Sequence, residues 1–209
     1  MAEDFGSMVN EIVDESRRSM STTIENLILD AIAHYEPRRF WFHERTETFS
    51  VSSSQDTYTS ADASFIPRIM EFDSLRLTVS GSDKPTLVKK TWRELEDWNY
   101  PTSVGQPTVY AYWGESIRFY PIPDDGYEVR FSGVVAEPTL SVSTDVNGWT
   151  QRGKGRELIK QRAKSLLYSE YLRDDVNAGR AIAREREALD VLEKRTARSQ
   201  GTDEIEPCL

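Results

Sequence analysis

The segment YWGESIRFYPIPDDGYEVRFSGV, residues 112–134, decides which kind of fold this chain adopts. Its apolar and polar residues alternate with period two, which is typical of half-buried β-strands. Gly114 and Glu115 supply one turn, and the sequence PDDG at 123–126 supplies another. The segment therefore predicts antiparallel strands that carry an unusual number of aromatic and arginine side chains.

The strand pattern extends towards the N-terminus. Residues 40–53 (FWFHERTETFSVSS) are aromatic and β-branched with polar alternation, and 74–80 (SLRLTVS) alternate strictly. The sequence GSDKP at 81–85 predicts a turn, and 91–99 predict a short helix opened by Thr91. The middle of the chain is thus expected to form an antiparallel β unit of roughly six to eight strands.

Helical patterns flank this unit on its N-terminal side. Residues 21–36 place apolar side chains on one helix face, with Ser21 or Thr22 as the cap and Pro37 as the terminator. The preceding segment, 7–18, is expected to form a short helix or a helical arm.

Helical patterns also follow the β unit. Residues 155–174 and 174–199 are both helical, with a kink near Asp174. Because each apolar stripe is too thin to stand alone, we expect the helices of the two chain ends to pack together. The predicted class is α+β: a small helical bundle from both termini with an inserted antiparallel β domain and an extended C-terminal tail. The predicted divisions are 1–37 (N-terminal helical segment), 38–150 (β domain), 151–198 (C-terminal helical segment) and 199–209 (tail).

The composition excludes several classes of protein. Hydrophobic residues make up 38% of the 209 residues and charged residues 29%, as in a soluble domain. No apolar run approaches the roughly 20 residues that a membrane helix needs, and the acidic N-terminus lacks a signal-peptide core. The single cysteine, Cys208, allows no disulfide within the chain. We therefore expect no membrane association and synthesis in a reducing cytoplasm.

Charge is unevenly distributed along the chain. The stretch 152–198 holds thirteen Lys and Arg against eight Asp and Glu, a net charge of +5, whereas the remainder carries −14. The favoured interpretation is a solvated helix with i,i+4 ion pairs. The alternative is a basic region that docks against the acidic part of the same chain or against a partner.

A search for reaction chemistry returns no candidate. His34, His43 and Cys208 do not form a zinc-ligand pattern, and neither a phosphate-binding loop nor a nucleophile elbow is present. The Asp124-Asp125 pair is explained by its turn, and the acidic β unit disfavours nucleic-acid readout. The sequence therefore predicts a structural or interaction protein with no catalytic residue, no metal ligand and no cofactor.

Three segments in order resemble one family, the head-to-tail adaptor (connector) proteins of tailed bacteriophages, chiefly those of short-tailed phages. They are IENLILDAIAHYEPRRFWFHERTETFSVSS (24–53), QPTVYAYWGESIRFYPIPDDGYEVRFSGVV (106–135) and STDVNGWTQRGKGRELIKQRAKSLLYSEYLRD (143–174). The chain departs from the family pattern at 58–62 (YTSAD), where family members often carry Leu-Pro-x-Asp.

The resemblance implies a place in the virion neck, between the capsid portal and the tail. It implies a ring, usually of twelve copies, that extends the DNA channel and gives tail nozzle, hub or fibre proteins a platform. Genomic DNA would pass through without sequence readout. The family's C-terminal segment inserts between portal subunits; here that role falls on the tail 199–209, with a predicted portal-binding set of Ile205, Glu206, Pro207, Cys208 and Leu209. Many weak contacts on one ring give avidity.

A second set of side chains is predicted to contact neighbouring subunits or tail proteins. One face of the strands must fill the β core, and the other face is open to a partner, where Tyr, Trp and Arg are enriched. The basic helix start either pairs with an acidic neighbour in the ring or faces the channel; the first is favoured because a basic channel would grip DNA phosphates. The predicted contact residues are Tyr112, Trp113, Arg118, Tyr120, Tyr127, Arg130, Arg156, Lys160 and Lys164.

Two other functions stay open from the sequence. One is a tail-completion or stopper protein of a phage neck, which is also a small α+β ring former. The other is a virion-associated cell-wall hydrolase, which would need a convergent Asp/Glu pair. The long helical C-terminus favours the adaptor over the stopper protein, and the hydrolase is disfavoured because the sequence shows no convergent acidic pair.

Overall fold

The computed structural model describes residues 3–59, 61–62, 68–79, 82–98 and 103–201. The chain divides into two compact units. One, the helical unit, joins Met1–His43 to Glu137–Leu209, and the other, the β unit, is Glu44–Ala136. Helices at both chain ends with sheets between them confirm the predicted α+β class.

The helical unit is built from both ends of the chain. Its helices bury one face each, and these faces share one apolar core in which Met8, Ile24 and Leu158 are fully buried. Such a shared core explains why stripes too thin to stand alone form stable helices here. The helices are α1 (Phe5–Ser16), α2 (Ser21–Tyr35), α4 (Arg156–Leu166), a π-helical turn (Leu167–Leu172) and α5 (Asp175–Ser199), with a 3₁₀ turn at Trp41–His43.

An aromatic cluster lies in this core. Trp149 is fully buried, with the rings of Phe40, Phe42 and His43 packed against it edge to face at 4.9–5.7 Å. A Cβ on Gly155 would lie 2.4 Å from the Trp149 ring, so only glycine lets α4 begin this close to it. These residues fall within or next to the segment 38–150 that the sequence pattern groups with the strands, yet they pack in the helical unit.

Helix ends differ in part from the sequence prediction. α2 begins after Met20 without a side-chain cap, so the predicted capping role of Ser21 or Thr22 is wrong, whereas Asp4 caps α1. The predicted kink is confirmed: Arg173 adopts a left-handed conformation (φ 49°) and Asp174 caps α5. Likewise His43 lies buried in the 3₁₀ turn rather than in a strand.

The β unit contains two four-stranded sheets among its described residues. One has the strand order β1-β8-β3-β4 and the other β2-β7-β6-β5. All pairings are antiparallel except the parallel pair β5–β6. The elements are β1 (Glu44–Val51), β2 (Thr57–Tyr58), β3 (Ile69–Val79), β4 (Ser82–Thr86), β5 (Val88–Lys89), helix α3 (Trp92–Asp97), β6 (Val109–Trp113), β7 (Ser116–Tyr120) and β8 (Tyr127–Val135).

The fold-deciding segment splits between these two sheets. β6 and β7 form the predicted hairpin, with Gly114 and Glu115 at φ 57° and 62° in its turn. β7 and β8, by contrast, are not a hairpin, because the turn at 123–126 carries the chain from one sheet to the other. A further correction concerns 82–85, predicted as a turn, which belong to strand β4.

The two sheets face each other across a second apolar core. Phe49 and Phe131 come from the first sheet, Ile117 and Phe119 from the second, and all four are buried. The inward residues of β7 and β8 follow the predicted alternation, 117 and 119 in one strand and 129 and 131 in the other. The register therefore decides which side chains of 112–134 remain for the outer faces.

Candidate interaction site

Three of the predicted contact residues share one face of the β unit. Cross-strand pairing places Trp113 opposite Ser116 and Ala111 opposite Arg118, so Trp113, Arg118 and Tyr120 point away from the core. The short helix α3 packs on the same face through Leu95, which is 2% exposed. We call Trp92, Trp98, Trp113, Arg118 and Tyr120 the tryptophan face.

Helix α3 brings two further tryptophans to this face. The Trp98 ring contacts Tyr120 at 5.4 Å between centroids, and the Arg118 guanidinium lies 5.9 Å from the Trp92 ring. Thr91 forms a capping box with Glu94, which determines where α3 begins. The sequence alone predicts that these tryptophans are core or interface residues, but it does not predict which of the two. Their place on one face follows from the position of α3, which no strand pattern predicts.

Ion pairing fixes Arg118 within this face. Its Nε lies 2.8 Å from the Asp56 carboxylate, with both side chains roughly one quarter to one third exposed. Because the guanidinium is held by Asp56 and covered by Trp92, its orientation is set before any partner arrives. Such preorganised Arg and Trp groups lower the entropy lost on binding.

Trp113 is the most exposed large side chain of the face. It lies beside the β6–β7 turn, and 71% of its surface is open to solvent. Val88 and Val104, also in the β unit, are exposed to 55% and 59%. Tryptophan is enriched at protein–protein interfaces relative to the rest of the surface, so Trp113 is a candidate contact residue.

The remaining three residues of the predicted strand set lie elsewhere. Tyr112 points inward, packs on Phe72 and donates its hydroxyl to the Ile69 carbonyl. Tyr127 packs at the edge of the core, and its hydrogen bond to Asp124 raises the pKa of Tyr127 to about 12. Arg130 is exposed on the outer face of the other sheet. The structure thus brings three of the six together.

The predicted basic contact residues make ion pairs inside the helical unit. Arg156 is 3% exposed, and its guanidinium donates to the Thr150 carbonyl and to Ser7 Oγ and lies 3.1 Å from Glu11. Lys160 pairs with Glu11, Glu15 and Glu157. The sequence left two interpretations of the basic stretch 152–198: a solvated helix with i,i+4 ion pairs, or a region that docks against acidic residues. The second interpretation holds for α4, whose basic side chains pair with acidic residues of α1 in the same chain.

Glu11 and Glu15 of α1 form an ion-pair cluster with Arg156, Lys160 and Lys164 of α4. Charge pairing in this cluster shifts the pKa of three members, Glu11, Glu15 and Lys160. Burial acts to raise the pKa of Glu11, but the hydrogen bond from Arg156 and the charges of Arg156 and Lys160 outweigh it, so the pKa lies below its usual value. The pKa of Glu15 is lowered in the same way against burial, chiefly by its hydrogen bond with Lys164 at 2.6 Å. The pKa of Lys160 is raised because Glu157 and Glu15 outweigh its desolvation. The cluster therefore stays fully ionised at neutral pH and fastens α1 to α4.

A second buried polar contact joins α2 to α5. Tyr35 donates its hydroxyl to Glu185, which is 6% exposed and also lies 3.5 Å from Arg162. Burial, together with this hydrogen bond and the charge of Glu185, raises the pKa of Tyr35. The buried Glu185 carboxylate is thus paired with Tyr35 and Arg162, and the contact holds α5 against α2.

Two kinds of site are missing from the part of the chain that the structure describes. Within it, no group of three or more His, Cys, Asp or Glu side chains is placed to hold a metal ion. Over the same residues, none of the helices has the length and apolarity needed to cross a membrane. The predicted portal-binding residues, 205–209, lie outside the described residues.

Comparison with known protein families gives a match over most of the chain. A family model described as SU10 adaptor protein matches residues 4–205, nearly the whole chain. A search of curated proteins found no match.

Proposed function

This chain belongs to the SU10 adaptor protein family, a family of phage head-to-tail adaptors with a structural role in the virion neck, and from this premise we propose that it forms a ring beneath the portal. The ring, of twelve copies in our proposal, extends the DNA channel and carries the tail proteins of a short-tailed phage. Family membership over residues 4–205 is the observation that carries the proposal.

The tryptophan face supports a contact with another protein of the neck. Its three tryptophans, Tyr120 and the preorganised Arg118 have the composition of the energetic centre of an interface. Trp113, 71% exposed, contributes little to the β core and is available to a partner. We assign this face to the neighbouring subunit or to a tail protein.

In this proposal the basic side chains of α4 stabilise the helical unit from within the subunit. Arg156, Lys160 and Lys164 hold α1 on α4, so the helical unit behaves as one rigid block. A rigid block suits a ring, because each subunit must keep the same geometry for the ring to close. Their predicted contacts between subunits stay a prediction.

The C-terminal tail is proposed as the portal-binding segment. Residues 203–209 (DEIEPCL) combine three acidic groups with the apolar Ile205, Pro207 and Leu209. A peptide of this kind loses entropy when it becomes ordered, and repetition around a ring compensates for the weakness of each contact.

Electron microscopy of purified portal rings mixed with the full-length chain tests the ring. We expect an added ring beneath the portal, and a chain that remains monomeric with the portal present would contradict the proposal. The double substitution Ile205→Ser with Leu209→Ser should weaken portal binding by at least tenfold; unchanged binding would remove the tail from the proposal.

A separate assay tests the tryptophan face. Trp113→Ala should leave portal binding intact while reducing either ring closure or attachment of tail proteins. Trp113→Phe, which keeps an aromatic ring, is the matched control and should retain most of that activity. If Trp113→Ala assembles normally at both steps, this face is not a contact.

A further inference from the structure

A groove between α4 and α5 has no role in the proposed adaptor function. It has a volume of about 430 Å³ and runs along one side of the helical unit. Its lining combines the start of α4 with the C-terminal half of α5: Gly153, Lys154, Glu157, Leu158, Arg184, Glu187, Ala188, Val191, Leu192 and Arg195. An apolar groove with a charged rim is suited to a peptide with apolar anchors.

The floor of the groove is apolar and partly open to solvent. Leu158 and Leu192 form its base and are almost fully buried, whereas Val191 is 52% exposed. An exposed valine beside buried leucines leaves apolar surface on which a further side chain can pack. The described residues of the helical unit leave this surface uncovered.

The rim carries more positive than negative charge. Lys154, Arg184 and Arg195 stand against Glu157 and Glu187. Arg195 is held in place because its Nη1 donates to the Gly153 carbonyl at 2.6 Å. Lys154 lies 6.0 Å from the Trp41 ring, which limits its motion. A peptide with acidic residues between apolar anchors would match this rim.

The chain carries such a peptide directly after α5. The sequence DEIEPCL (203–209) has three acidic residues and the apolar residues Ile205, Pro207 and Leu209. Gly201, at φ 67°, has the backbone conformation with which chains commonly leave a helix and change direction. The chemistry that the groove selects is therefore present in the same molecule.

The distances permit the tail to reach the groove. Val191 lies eight residues before the end of α5, which is about 12 Å along the helix axis. The eight residues after Gly201 span up to roughly 26 Å when extended. The tail is long enough to return past Arg195 and place Leu209 at Val191, while Ile205 lies closer to the end of α5.

We propose that in the free subunit the segment 203–209 folds back into the groove between α4 and α5 of its own chain. The contact covers the apolar floor with Ile205 and Leu209, and the acidic residues face the basic rim. A tail held in this way is withdrawn from other partners until assembly releases it. This inference goes beyond the adaptor role and does not depend on portal binding.

The single cysteine makes the test direct. A nitroxide spin label on Cys208 of the ¹⁵N-labelled full-length chain, without portal, reports which backbone amides lie near the tail. We expect loss of the amide signals of Ala188, Val191 and Leu192 relative to the sample with the reduced, diamagnetic label. Val176, which lies fifteen residues before Val191 on α5 and thus about 22 Å away along the helix axis, should keep its signal. Equal signals at all four positions would overturn the proposal.

Two charge variants on α5 test whether the tail docks at Val191. Val191→Asp places a negative charge on the groove floor and should restore the lost signals, whereas Val176→Asp, at a valine of the same helix that is 66% exposed, should not. Because both valines are more than half exposed, we expect both variants to fold, which circular dichroism checks. Signals that stay lost in Val191→Asp would contradict docking at this site.

A mixed sample identifies which copy supplies the tail. In this sample, ¹⁵N-labelled chains without a spin label are mixed with ¹⁴N chains that carry the spin label on Cys208. Loss of the groove amide signals in this mixture would show that the tail of a second copy occupies the groove, and it would overturn docking within one chain. Without a spin label, the double variant Ile205→Ser with Leu209→Ser should shift the amide resonances of the groove residues relative to wild type. Unchanged resonances would also overturn the proposal. Since no assay includes portal, their failure leaves the proposed adaptor function untouched.

Discussion

The helical unit and the β unit differ in where their basic side chains and their tryptophans lie. In the helical unit, Arg156 and Lys164 are buried and paired with acidic residues of α1, and the aromatic Trp149 fills the core. In the β unit, Trp113 and Trp98 remain exposed on an outer face. A basic stretch of the sequence thus stabilises the helical unit from within, whereas the tryptophans of the β unit remain on its surface.

The largest expected effect contrasts two tryptophans. Trp149→Ala should lower the free energy of unfolding of the helical unit by about 3–5 kcal/mol, because it leaves a cavity against Phe40 and Phe42. Trp113→Ala removes an exposed ring and should change stability by less than about 0.5 kcal/mol. Urea denaturation of both variants, followed by circular dichroism, measures the difference. Similar decreases in the free energy of unfolding for the two variants would contradict the distinction between the core residue Trp149 and the surface residue Trp113.

Removal of the buried guanidinium should have the next largest effect. Arg156→Met leaves the Thr150 carbonyl and Ser7 without their donor and should cost about 2 kcal/mol. The cost is moderated because Glu11 keeps Arg152 and Lys160 as partners. Arg186→Met, at an exposed arginine of α5, is the matched control and should be nearly neutral. A neutral Arg156→Met would show that the cluster does not fasten α1.

Part of the pH dependence of stability should come from Glu11, Glu15 and Lys160 of the same cluster. Glu11 and Glu15 have folded-state pKa values below the ordinary 4.5, so their contribution is present above pH 4.5 and is lost as pH falls through the folded-state values. Lys160 has a raised pKa, so its contribution is present below 10.5 and is lost as pH rises through its folded-state value.

Denaturant unfolding at a series of pH values measures both limbs. Glu11→Gln should flatten the acid limb, and Glu128→Gln, at an exposed site in the β unit, should not. An acid limb of equal slope in wild type and Glu11→Gln would show that Glu11 does not contribute to the acid sensitivity.

The smallest effect concerns the helix that supports the tryptophan face. Thr91→Ala removes the capping box of α3 and should cost about 1 kcal/mol of local stability. Thr91→Ser keeps the hydroxyl and should be close to wild type. Because Trp92 and Trp98 depend on α3 for their positions, amide exchange in 92–97 should rise in Thr91→Ala, and unchanged exchange would indicate that tertiary packing alone holds α3.

Local pattern predicts much of the fold. The alternation in 116–120 and 127–135 identifies the strands β7 and β8 and divides the side chains of each strand between two faces, but it does not show which face fills the core. The break before α5 follows from Asp174 and Asn177, whose side chain–backbone chemistry favours a new helix start. The turn at Gly114 is equally predictable from its residue types.

The candidate contact surface is less predictable from local pattern. The alternation of 112–134 shows two faces but does not identify the sheet to which each strand belongs. The register then turns Tyr112 inward and Trp113 outward. Trp92 and Trp98 join the face only because α3 packs on β6 and β7, a contact between residues far apart in the sequence.

The α+β class, the order of helices and strands and the excess of positive charge in 152–198 follow from the amino-acid sequence, because they depend on periodicity, composition and local turn chemistry. The resemblance to phage adaptors rests instead on the residues of the segments 24–53, 106–135 and 143–174. Only the tertiary structure decided that Glu11 and Glu15 neutralise Arg156, Lys160 and Lys164 and that Trp149 lies in the helical core. Ion pairs between α1 and α4 join residues about 150 positions apart. Pairing at that separation is set by how helices pack, which no local pattern of side chains specifies.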